Sequence, residues 1–150
     1  MSTLKMEREF TADPATVFSF VTRSENLAKW WGPEGMTLPE KALDFSRKGL
    51  WLSVMMNADG KRYKCSGKVL SCDPPRSVEF TWAWHDEKDA RGHESLVRFE
   101  VHAGRNGGSR FVLIHSGLPD EESVANHEIG WSSSLRKLER MAGLSKTGRK

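Results

Sequence analysis

The C-terminal stretch 119–143, PDEESVANHEIGWSSSLRKLERMAG, is the strongest constraint on what this chain can fold into. It is the one long helical signal. Val124, His127, Trp131, Leu135, Leu138 and Ala142 step by three or four and line one face of a helix. Glu122, Asn126, Ser133, Lys137 and Arg140 fall on the other face. Pro119 and the acids Asp120, Glu121 and Glu122 suit a helix start. Arg136, Lys137 and Arg140 suit its negative end, and Gly143 is a stop. A helix with one apolar face needs a surface to cover, and the upstream chain must supply it.

That chain reads as short strands and two small helices. Residues 3–11, TLKMEREFT, alternate as a half-buried strand. Asp13-Pro14 opens a helix with Val17, Phe18 and Val21 inward. Ser24 is placed to cap a second short helix that runs to Trp30, with Leu27 and Trp30 inward, and Gly32-Pro33 ends it. A loop over 34–40 leads to a weak strand at 40–46. Strands follow at 50–57, 61–72, 76–84, 93–103 and 109–116. Their connections are turn chemistry: Asp59-Gly60, Asp73-Pro74-Pro75, the polar loop HDEKDARG at 85–92, and residues 104–108. The class is therefore α+β: a curved antiparallel sheet of six to seven strands wrapped around the long helix, with two short helices after the first strand. With no repeat or linker, residues 1–143 form a single domain, and residues 144–150 are expected to be a disordered basic tail.

Composition sharpens the reading in three places. No apolar run reaches the roughly 18–20 residues of a membrane span, and the N-terminus has no signal-peptide core, so a cytoplasmic protein is expected. The net charge of +3 is matched by Lys146, Arg149 and Lys150 in the tail, which leaves a near-neutral body ill suited to nucleic acid. Cys65 and Cys72 lie seven residues apart on one strand, roughly 23 Å, and are expected to stay thiols. Six tryptophans and seven phenylalanines stand against one tyrosine, which points to a bulky core or a wide aromatic cavity.

Several segments, taken together, resemble a known family: Asp13-Pro14 with Val17-Phe18, Trp30-Trp31-Gly32-Pro33, Asp59-Gly60 with Tyr63 and Gly67, Asp73-Pro74-Pro75, Ile114-His115-Ser116-Gly117-Leu118, and His127 with Gly130-Trp131, Leu135 and Leu138. The chain is similar to the activators of heat-shock-protein-90 ATPase homologue family, within the START and birch-pollen-allergen superfamily of helix-grip folds. The resemblance implies a helix-grip fold over nearly the whole domain. It implies no single function, because the superfamily includes carriers of hydrophobic ligands, polyketide cyclases and a co-chaperone domain. The co-chaperone carries a further N-terminal domain for which 150 residues leave no room, so a true co-chaperone role is not expected.

The first expectation is a small hydrophobic or amphipathic ligand bound between sheet and helix. Candidate ligand-binding residues are Trp31, Trp51, Met55, Tyr63, Cys65, Trp82, Trp84, Phe99, Leu113, His115, His127, Trp131 and Leu135. Tyr63, Ser53 and His115 would be the polar groups among apolar walls. The alternative is that the tryptophans fill the space themselves. The second expectation is a cyclase- or hydrolase-like activity with His115 or His127 as acid–base; against it, each histidine simply makes a local hydrogen bond. The third is an interaction module that contacts a chaperone or another partner, or forms a homodimer. Trp30-Trp31-Gly32-Pro33 is either a gate or a plug, and Gly130 marks close approach of the helix to a tryptophan on the sheet. No cofactor and no metal is expected: His85, His93 and His102 lack ligand spacing, and there is no CxxC, phosphate-loop or GxSxG motif.

Overall fold

A computed structural model of the chain describes residues 1–142. Gly143 as the helix stop and the tail over 144–150 lie outside the described residues. The strands are β1 (Ser2–Phe10), β2 (Thr37–Ala42), β3 (Gly49–Met56), β4 (Arg62–Asp73), β5 (Ser77–Trp84), β6 (Ser95–Ala103) and β7 (Ser109–Leu118). The helices are α1 (Pro14–Thr22), α2 (Ser24–Trp30) and α3 (Glu121–Met141). All seven strands form one antiparallel sheet in the order β1-β7-β6-β5-β4-β3-β2. Consecutive hairpins build β2 to β7. The α1–α2 excursion carries the chain from β1, at one edge, to β2, at the other.

Local chemistry explains most element ends. Asp13 caps α1, its carboxylate accepting from the Thr16 N–H at 3.1 Å, with Pro14 in the first turn. Asp120 does the same for α3 through the Ser123 N–H at 2.8 Å. α2 differs from expectation. Arg23 holds the cap position without a side-chain bond, and Ser24 is already helical. The α1 terminus runs straight into α2, so no free residue remains for a serine cap. β2 also differs, starting at Thr37 and ending at Ala42. Pro39 is tolerated because β2 is an edge strand, where a missing N–H costs no ladder bond. Leu43 and Phe45 then leave the sheet and enter the core as loop residues.

The core is aromatic. Trp30, Phe45, Trp51, Phe80, Phe99 and Phe111 are almost fully buried. Trp31 lies at their centre, with ring centroids of Phe45, Trp51, Trp82 and Trp131 at 5.5–5.7 Å. Burying indoles requires partners for their N–H groups. Trp30 donates to the Phe20 carbonyl (2.9 Å), Trp31 to Ser53 Oγ (3.0 Å) and Trp51 to the Thr81 carbonyl (3.0 Å). Gly67 is a packing requirement: a Cβ there would stand 1.9 Å from the Thr81 oxygen and 2.7 Å from Trp51 Nε1. Cys65 and Cys72 are free thiols, and burial pushes Cys65 up to about 12.

Candidate functional site

α3 does not lie evenly on the sheet. Its C-terminal half is clamped: Leu135 and Leu138 are fully buried. The loop after α2 is tied to it by Glu34, whose N–H donates to Ser133 Oγ at 2.8 Å and whose carboxylate pairs with Arg136 and Arg140. Those guanidiniums, Arg140 first, hold the Glu34 carboxyl below the usual carboxylate range. Lys137 Nζ donates to the Trp31 carbonyl, and burial lowers its pKa. Ser133, placed by periodicity on the outer face, is therefore buried under this loop. The N-terminal half is looser, and Ile129 is 71% exposed. Beneath this half lies a cleft of about 490 Å³.

Sheet and loop contribute the apolar wall: Trp31, Gly32, Pro33, Met55, Trp82 and Trp84. α3 contributes the mixed wall: Asp120, Glu122, Ser123, Asn126, His127, Gly130, Trp131 and Ser134, with Pro119 just before it. Trp82 sits at the centre of the aromatic surface, 5.4 Å from Trp84 and 5.3 Å from Trp131 between centroids. Its indole N–H is the one buried side-chain polar atom with no partner among the described residues. Gly130 meets nothing closer than Pro33 Cγ, at 4.0 Å from an added Cβ. The expected tryptophan is not there; the glycine faces the cleft and the Gly32-Pro33 rim.

Two histidines stand edge to face behind and beside this wall, 4.8 Å apart between centroids. His127 Nδ1–H donates to the Ser123 carbonyl at 2.8 Å, which leaves Nε2 to accept from the Trp84 indole at 3.0 Å. Burial lowers its pKa, opposed by the bond to Ser123. His115 is fully buried and outside the cleft lining. It accepts from Trp131 Nε1 at 3.1 Å through Nδ1, so Nε2–H donates to Ser95 Oγ at 2.8 Å. Ser95 in turn donates toward the Trp82 carbonyl at 3.4 Å. Burial, followed by the neighbouring His127, depresses His115 to about 3. Both rings are neutral near pH 7, and each uses one nitrogen to accept from a tryptophan and the other to bond a serine group, Ser123 O for His127 and Ser95 Oγ for His115.

The comparisons with known proteins bear on this geometry. The family model for "Activator of Hsp90 ATPase homolog 1-like protein" matches residues 11–143. The chain belongs to this family. A crystal structure of an AHSA1 protein from Silicibacter pomeroyi is 47% identical, superposes with a TM-score of 0.91, and is matched over 95% of this chain and 98% of that one. Proteins from Chromobacterium violaceum (22% identical, TM-score 0.79, 94% and 97% covered) and Mycobacterium smegmatis (20%, 0.75, 93% and 89%) share the fold. No curated protein matches the chain. The helix-grip architecture is thus that of the AHSA1 family.

Within this AHSA1 domain, six sequence candidates meet at the cleft: Trp31, Met55, Trp82, Trp84, His127 and Trp131. Trp51, Cys65, Phe99, Leu113 and Leu135 are buried in the core around it, and half-buried Tyr63 packs at the edge of that core. Ser53 is sealed between Trp31 and Cys65. The polar residues Asp120, Glu122, Ser123, Asn126 and Ser134 were missed: the spacing puts Glu122 and Asn126 on the outer face, Asp120 reads as a helix start, and the two serines fall outside the apolar repeat. For all but Ser134 the signal was position at the N-terminal half of the helix, where residues 121–130 contain no leucine. Among the described residues there is no cluster able to hold a metal ion, and no helix is long and apolar enough to cross a membrane.

Proposed function

We propose that this domain binds a small hydrophobic or amphipathic molecule in the cleft between the sheet and the N-terminal half of α3. The observation that carries this reading is the open space of about 490 Å³ beneath a helix whose other half is tightly clamped. That volume suits a small ligand, and its walls are apolar with a few polar groups at one side. The ligand's flat or apolar end would lie against Trp31, Trp82, Trp84, Trp131 and Met55. Its polar end would reach Asn126, Ser123 or Ser134. Asp120 and Glu122 at the rim disfavour an anionic head group.

Binding is supported over turnover by the state of the histidines. His115 is neutral, sealed and doubly hydrogen-bonded, so it has no proton or lone pair to lend. His127 touches the cleft but is engaged by Ser123 and Trp84. The family description raises a chaperone partner as the competing reading; such a partner would engage the surface and leave the cleft indifferent to ligands. The test is a panel of neutral lipids, flavonoids and polyketide-like compounds, read by melting temperature and tryptophan fluorescence. Binding raises the melting temperature with ligand concentration and quenches the cleft tryptophans. A panel that moves neither signal would overturn the proposal.

A further inference from the structure

The face of the sheet turned away from α3 holds a second cleft, of about 390 Å³, that shares no lining residue with the first. One side is apolar, with Leu50 and Leu52 of β3. The other carries Ser66 and Lys68 of β4 together with His85 and Arg91. The loop after β5 is folded by Asp86, whose carboxylate accepts from the N–H groups of Lys88 (2.8 Å) and Ala90 (3.0 Å). This fold puts Asp89 in the left-handed region, at φ 63°, and turns its carboxylate back onto His85. Asp89 Oδ1 lies 2.8 Å from His85 Nδ1 and 3.0 Å from Lys64 Nζ. Those partners, Lys64 first, hold its carboxyl below the usual range.

The hydrogen-bond directions follow. A carboxylate acceptor keeps the imidazole proton on Nδ1, so Nε2 presents its lone pair. The group facing Nε2 is Ser66 Oγ, at 2.7 Å. Arg91 Nε donates to the same oxygen at 3.0 Å, so the hydroxyl's own proton points to His85. The His85 side chain is only 9% exposed, and its backbone N–H is held by the Lys64 carbonyl at 2.8 Å, so the ring is fixed. We propose that Ser66, His85 and Asp89 form an acyl-transfer site that hydrolyses small neutral carboxylic esters. Such a constellation is recognised by geometry and roles, whatever the chain order.

In the first step Ser66 Oγ bonds to the ester carbonyl carbon, and its proton passes to His85 Nε2. The oxyanion forms beside the Arg91 guanidinium, with Lys68 two residues along the same strand face. Collapse breaks the bond to the alcohol oxygen, which takes the proton from His85 and leaves as alcohol. Water then attacks the acylated serine, its proton goes to His85, and Ser66 recovers it as the carboxylic acid departs. Asp89 is a positioning residue: it fixes the tautomer. Leu50 and Leu52 offer a seat for a short acyl chain.

The experiment treats the full chain with a fluorophosphonate probe and maps the adduct by mass spectrometry, alongside turnover of p-nitrophenyl acetate and butyrate. The expected adduct is on Ser66. Labelling slows about 100-fold or more in His85→Gln, and Ser66→Ala falls to the buffer rate of ester hydrolysis. Asp89→Asn lowers kcat with KM unchanged. Circular dichroism melts show each variant folded. A folded wild type that leaves Ser66 unlabelled, equal labelling in His85→Gln, or full turnover in Ser66→Ala would overturn the assignment and leave a network that merely ties the loop to β4.

Discussion

Protonating His115 would deprive the Trp131 indole of its acceptor at a site sealed from water. The folded state therefore takes up that proton only near pH 3, whereas the unfolded chain takes it up near 6.5. Below pH 6.5 the unfolded state binds more protons, so stability is full above that value and falls as pH drops towards 3. Between pH 7 and pH 5 this one group should remove about 2 kcal/mol. Urea unfolding across that range measures it, and His115→Gln should flatten the profile. His115→Leu should cost about 2–4 kcal/mol at pH 7, because the buried Trp131 N–H loses its acceptor and Ser95 Oγ loses the N–H that donates to it. Gly67→Ala is a separate test of packing: with a Cβ 1.9 Å from the Thr81 oxygen, it should cost about 3 kcal/mol or more, read by the same unfolding curves. Neither role was legible from the residues alone. His115 and Gly67 fell inside recognisable strands, but what they touch comes from strands distant in sequence.

Among the elements, α3 was the most legible and also the least uniform. Trp131, Leu135 and Leu138 face inward as their spacing requires, and Asp120 begins the helix. The same periodicity misplaced Ser133, because the loop after α2 folds over a face that a lone helix would leave wet. It also hid Glu122 and Asn126, which turn outward from the core and yet border the cleft. Gly130 sits at the junction of the gripped and open halves. A mid-helix glycine gives up about 1 kcal/mol relative to alanine, and space exists for the methyl group. Gly130→Ala should therefore stabilise the domain by about 0.5–1 kcal/mol in chemical denaturation. Asp120→Ala should cost about 1 kcal/mol by removing the cap on Ser123.

At the level of the whole molecule, fold and cleft have different origins. Alternating strands, turn residues and one long helix specify a sheet gripping a helix, and the AHSA1 family match covers residues 11–143. The space under the helix depends instead on how six large indoles share a core. Five of them find hydrogen-bond partners, while Trp82, at the cleft wall, does not. No local pattern reveals that shortage. The most direct measurement is a fluorescence titration of the wild type and Gly130→Leu with the neutral probe 1-N-phenylnaphthylamine. Wild type should give a saturable rise in probe emission with quenching of tryptophan. Gly130→Leu, folded but with its cleft occupied, should bind at least about 10-fold more weakly, a difference of roughly 1.4 kcal/mol. Equal binding by the two proteins, or none by the wild type, would contradict the account.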